Sequence, residues 1–170
     1  MGDSRAPQRP DLPGDLAGGA VRPLRMLPDP VLHQICQPAG YMTGVELVAL
    51  SADLLATMYN AGGRGLAAPQ IGVLRRVFVM DAGWKDGQPD PVIVVDPDIL
   101  AQSDQVEPGD EACLSIPGRV LSVTRPVQIT LAWYDLQGLH QSRVLQGITA
   151  RIALHELDHL NGRLIVDDLT

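Results

Sequence analysis

The pattern of apolar and polar positions divides the chain into a polar lead-in, one long helix, a run of short strands and a second helix. Residues 1–21 are rich in Pro, Gly and Asp and have no apolar periodicity, so they are expected to be a disordered tail ahead of one folded domain over 22–170. Asp29-Pro30 has the form of a helix start, and a short turn through Val31, Leu32 and Ile35 is expected after it. From Thr43, the residues Leu47, Leu50, Leu54 and Met58 recur on one helical face. Thr43 and Glu46 have capping-box spacing, and Gly62-Gly63 closes the helix.

The period then shortens. Val77–Met80, Val92–Val95, Val120–Val123, Val127–Trp133 and Arg143–Leu145 read as strands between Pro and Gly breaks, with a hairpin turn at Asp135–Gly138. Ile148–Leu160 reads as a second helix, stopped by Asn161-Gly162. No internal repeat interrupts this order. The expected fold is α+β, with mostly antiparallel sheets packed around a C-terminal helix that carries an HExxH metal motif.

Composition narrows the function. A net charge of −7 opposes a nucleic-acid partner, because phosphate binding needs a basic surface. Only two cysteines, Cys36 and Cys113, are present, which fits a reducing cytoplasm better than a disulfide framework. No apolar run approaches the roughly 20 residues that span a bilayer, and no signal-peptide core is visible, so no membrane partner is expected.

The densest chemistry is His155-Glu156-Leu157-Asp158-His159. Residues four apart share a helical face, so both imidazoles can reach one ion, and the Glu after the first His can serve a water there. Two of only four histidines at this spacing make coincidence a weak explanation. A catalytic ion needs a third protein ligand. The position three residues beyond Gly162 is Ile165 rather than His, and no Glu follows His159, so the ligand lies upstream. The candidates are Cys36, Cys113, His33, His140 and several carboxylates. Cys36 and His33 sit in a short apolar element and read as core and surface residues. His140 lies in a polar hairpin. Cys113, at the end of an acidic loop, is preferred.

Three segments now resemble the peptide deformylase family. Gly63-Arg64-Gly65-Leu66-Ala67-Ala68-Pro69-Gln70 is similar to its Gly-x-Gly-apolar-Ala-Ala-x-Gln motif, Glu111-Ala112-Cys113-Leu114-Ser115 to Glu-Gly-Cys-Leu-Ser, and His155–His159 to His-Glu-x-Asp-His. The resemblance covers about residues 22–168. It implies a metal-dependent hydrolase that removes the formyl group from N-formylmethionyl peptides and releases formate. By the same resemblance Cys113, His155 and His159 hold one divalent ion per chain, Fe(2+) ahead of Zn(2+) or Ni(2+). Glu156 carries the proton, and Gln70 and the Leu114 N–H stabilise the oxyanion. Gly65, Ile148 and Ile152 are expected to contact substrate, with N-formylated peptides and the ribosome exit region as partners.

Three positions depart from the family pattern. Ala112 replaces a glycine, Leu154 a glutamine, and Arg64 an apolar residue beside the groove. The sequence stops at Thr170, before the helical tail of many bacterial members. Two alternatives follow: a related amidase acting on another acylated substrate, or a non-catalytic metal-binding homologue.

Overall fold

A computed structural model describes residues 6–169. Two helices, α1 (Gly44–Asn60) and α2 (Gly147–Leu160), accompany seven strands: β1 (Gly65–Ala67), β2 (Val77–Met80), β3 (Val92–Gln102), β4 (Val106–Cys113), β5 (Ile116–Pro126), β6 (Gln128–Tyr134) and β7 (His140–Gln146). An antiparallel sheet takes the order β1-β2-β3-β6-β7, and β4 and β5 form a separate two-stranded hairpin. The expected α+β architecture is the one found.

β2 explains the layering. Val77 and Val79 pack with Leu54, Leu55 and Met58 of α1, whereas Phe78 and Met80 pack with Ala150, Ala153 and Leu160 of α2. Side chains alternate across a strand, so a continuous apolar run must be covered on both faces. Burying a side chain such as Phe78, fully inaccessible here, contributes roughly 1.5–3 kcal/mol. The sheet is therefore held between α1 and α2, and α2 is seated by its apolar side against the sheet.

The caps agree with the sequence. The Thr43 side chain accepts the Glu46 N–H while Glu46 accepts the Thr43 N–H. Asp29 caps the turn Pro30–His33 through the Val31 N–H. At the end of α2, Gly162 adopts φ +71° and a β-carbon there would lie 2.6 Å from the His33 carbonyl oxygen, so both conformation and space call for glycine.

Three expectations need correction. Part of the lead-in is packed: Leu12 and Leu16 rest on the α1 core, Gly14–Gly18 forms a 3-10 turn, and the Ala20 N–H donates to Asp53. Two leucines four residues apart supply an apolar contact that the Pro/Gly content obscures; residues 1–5 lie outside the described residues. Next, the acidic loop before Cys113 is strand β4, paired with β5 from Val106↔Pro126 onward. Most of its residues are exposed, so no apolar alternation marks it. Finally, β1 is only three residues long and was not expected; it exists because β2 supplies the ladder.

Candidate metal centre and active site

Separate elements bring the chemistry together. β4 delivers Cys113, followed by a two-residue turn, Leu114-Ser115, into β5. α2 presents His155 and His159 one turn apart, with ring centroids 5.0 Å apart. Ligand atoms of Cys113, His155 and His159 all lie within 4.8 Å of one another, and Cys113 Sγ is 3.4 Å from His159 Nε2. Ligands of a tetrahedral ion at 2.0–2.3 Å are about 3.5 Å apart, so this set closes on one ion with small adjustments.

The other histidines and Cys36 stay outside. Cys36 is buried among apolar residues, and burial pushes its thiol up to about 11. His33 meets Asp167 at the surface, and His140 opens β7 beside Tyr134.

His155 is oriented from behind. Its Nδ1 donates to Glu111 Oε1 (2.8 Å), since an ionised carboxylate can only accept, and this leaves Nε2 for the cluster. Glu111 in turn accepts from Arg125 Nε (2.6 Å) and Nη2 (2.8 Å) and from Arg151 Nη1 (2.8 Å). Burial alone would raise the Glu111 carboxyl, but the hydrogen bonds from Arg125 and His155 outweigh it and hold it at about 2. Arg151 also donates to the carbonyls of Gly109, Val123 and Glu107. The hairpin carrying Cys113 is thereby clamped to the helix carrying the histidines.

Sequence reasoning did not find Arg125 or Arg151. Arg125 has no local signal within its strand. Arg151, four residues before His155, shared its helical face and could have been noticed.

The surroundings act differently on the two imidazoles. Burial opposes a charged His155, yet hydrogen bonds with Cys113 and Glu111 and the nearby Glu156 charge raise it to about 10. A divalent cation held by His155 would have to displace that proton. His159, nearly fully buried, is pushed well below its usual range and is therefore neutral, as a ligand must be. The donor set, one thiol and two imidazoles, fits a borderline divalent metal.

Glu156 faces the groove from α2. Burial pushes its carboxyl up to about 7, and its Oε2 is buried without a partner. A β-carbon at Gly65 would lie 2.5 Å from Glu156 Oε1, so β1 leaves room for this carboxylate only because residue 65 is glycine. Gln70, 2% exposed, is fixed by the Ala67 N–H donating to its Oε1 (3.0 Å). Its Nε2 then points at Ser115 Oγ (3.1 Å) and Cys113 Sγ (3.7 Å). Gly65, Gln70, Leu114, Ile148, Ile152 and Glu156 all line one groove of about 310 Å³ beside the cluster. Ile148 is 54% exposed, so simple core packing does not account for it.

Residues 21–170 match the model of the polypeptide deformylase family. The chain belongs to the peptide deformylase family. As a member it is a metal-dependent hydrolase that removes the N-terminal formyl group of nascent peptides. It is 40% identical over 150 residues to a peptide deformylase of Agrobacterium fabrum, covering 88% of each chain. A solved class I type b peptide deformylase of Acinetobacter baumannii superposes with a TM-score of 0.83 at 34% identity, over 88% of this chain and 99% of that one. A structure of the same Acinetobacter enzyme is bound to Met-Ala-Ser, with a TM-score of 0.81 at 33% identity, over 88% of this chain and 98% of that one.

The family departures have distinct places. Leu154 packs at the edge of the core beneath α2 and does not line the groove. Ala112 lines the groove in extended β4, and its φ is not positive. A glycine at 112 would therefore serve close approach of a ligand and not a left-handed backbone.

Proposed function

We propose that Cys113, His155 and His159 hold one divalent ion, Fe(2+) ahead of Zn(2+) or Ni(2+), and that residues 22–170 form the deformylase domain. The observation that carries this reading is the unpartnered Glu156 carboxylate beside the three-residue donor cluster. When bound, such an ion makes a water acidic near neutral pH and polarises the formyl carbonyl.

The chain's own residues supply the rest. β1 is an edge strand, and a formylmethionyl peptide laid along its free side places its formyl group between Gly65 and Leu114. Ile148 and Ile152 take the methionine side chain. Glu156 accepts a proton through Oε2 and returns it to the departing amine, for which a carboxyl near 7 is well matched. The Gln70 amide and the Leu114 N–H donate to the oxyanion, each such donor being worth about 2.7–4 kcal/mol in the transition state. Formate leaves, and the peptide keeps a free amino terminus.

The free thiols suit a cytoplasmic enzyme meeting chains at the ribosome exit region. No helix among the described residues is long and apolar enough to cross a membrane. The alternatives of a different acyl substrate or a non-catalytic homologue are not favoured, because family membership and Glu156 both speak for deformylation.

Formate release from formyl-Met-Ala-Ser, with metal analysis in parallel, tests the reading. The protein is expected to carry about one transition metal per chain, and Cys113→Ala or His159→Ala to lose it. Full occupancy in either variant would mean a different ligand set.

Ala112→Gly is expected to raise turnover of formyl-Met peptides at unchanged metal content. The methyl group narrows the groove, while a strand glycine costs only about 0.5–1 kcal/mol of stability. Kinetics on both proteins check this, and equal or lower turnover would make Ala112 an adaptation or a neutral replacement.

A further inference from the structure

Of the three cations that line the groove, Arg151 is engaged by Glu111, and Arg64 and Lys85 stand outside the catalytic set. Arg64 continues the β1–β2 pairing, its carbonyl accepting the Asp81 N–H (2.9 Å). It shares side-chain parity with Leu66, which packs on the α1 face, and so lies opposite the Gly65–Glu156 contact. Its nearest carboxylate, Asp86, is 3.8 Å away and 73% exposed, and its own Nε is buried without an acceptor. Lys85, in the turn Trp84–Asp86, lines the same groove and has no ion pair among the described residues. Its ammonium stands 5.7 Å from the Trp84 ring centroid. Burial, and then the Arg64 charge, push Lys85 below its usual range, so the two like charges feel each other.

The acids that share the groove do not neutralise this pair. Glu111 is engaged by Arg125, Arg151 and His155, and Glu156 lies on the other face of β1. Asp110 lines the groove from β4, but no ion pair joins it to Arg64 or Lys85. Arg64 has only the long, exposed pair to Asp86 and Lys85 has none among the described residues, so the two favour an anion brought by the ligand, and a guanidinium offers a carboxylate two parallel donors.

We infer that Arg64 and Lys85 form a recognition wall that favours formylmethionyl peptides with an acidic side chain at the second or third residue. This rests on the reading of the groove as the formyl-peptide site. A peptide pairing antiparallel to β1, with its reacting end at Gly65, carries the residues after methionine towards Arg64 and Gly63. With the methionine on the α2 side against Ile148 and Ile152, alternation turns the next side chain to the Arg64 side. Asp and Glu are attracted there, and Lys is repelled.

The test uses the metal-loaded enzyme and amidated peptides formyl-Met-X-Ser and formyl-Met-Ala-X, with X as Glu, Ala or Lys; amidation removes the terminal carboxylate. At one position or both, kcat/KM is expected to fall in the order Glu, Ala, Lys. The end members should differ by about tenfold, the sum of two exposed charge effects. High salt should compress the series. Arg64→Ile should narrow it, and Arg64→Ile combined with Lys85→Ala should level it. Binding of the unformylated peptides Met-Glu-Ser-amide and Met-Lys-Ser-amide, followed by calorimetry, reads the same preference without turnover. A flat series in both turnover and binding overturns the inference. Loss of all turnover with the binding order intact would overturn the hydrolytic reading instead and leave the cation wall standing.

Discussion

Glu156→Gln is expected to keep the fold and the metal and to lose deformylation by about 10²–10⁴-fold in kcat. Glutamine reproduces the shape of the carboxylate in the space left by Gly65, yet it cannot accept a proton. Burial already disfavours the ionised form of Glu156, pushing it to about 7, so replacing it with a neutral amide should not destabilise the protein near neutral pH. Thermal unfolding and metal analysis should match the parent while formate release collapses. Activity within a few-fold of the parent would move the proton transfer to another group.

Glu111→Gln is expected to have the largest effect on stability, about 3–5 kcal/mol, because Arg125 loses its buried counter-charge. For a chain of this size that corresponds to roughly 6–20 °C in Tm. Metal affinity should also fall by about 10–100-fold, since the Nδ1–H of His155 loses its carboxylate acceptor. The carboxyl of Glu111 is held near 2, below its ordinary 4.5. Its contribution is therefore fully present above about pH 4.5 and is lost as pH falls towards 2, so the parent should show an acid-side loss of stability that the variant lacks. Denaturant titrations of the metal-free proteins across that range measure the stability loss and its pH dependence, and metal titrations of the folded proteins measure the affinity. A variant within about 1 kcal/mol of the parent would show that Asp158 and the backbone carbonyls suffice to hold the two arginines.

The two predictions differ in how far the sequence alone reaches. Glu156 was legible because its neighbours are local: a helix of 3.6 residues per turn places His155 and His159 together whatever surrounds them. The same holds for the Thr43–Glu46 cap and for β2, whose apolar run requires cover on both faces. Cys113 could be nominated because its immediate neighbours carried a motif. β4 could not be read, since most of its side chains are exposed and its pairing with β5 is a matter of backbone hydrogen bonds that leave no apolar period. The lead-in was misjudged for a related reason: Leu12 and Leu16 are too few to make a pattern until α1 provides a surface for them.

Tertiary structure alone decided what stands behind the site. Arg125 is 14 residues from Glu111 along the chain and Arg151 is 40, and no local rule relates them. Their convergence on one carboxylate depends on how the β4–β5 hairpin meets α2. The sequence by itself determined the helix of the candidate ligands, the sheet-forming segments and the set of candidate ligands, because each rests on periodicity or on a short motif. The register of Cys113 against the histidines, the burial that raises Glu156 and the placing of Arg64 beside Lys85 required the fold, because each is a long-range distance set by packing and not by spacing along the chain.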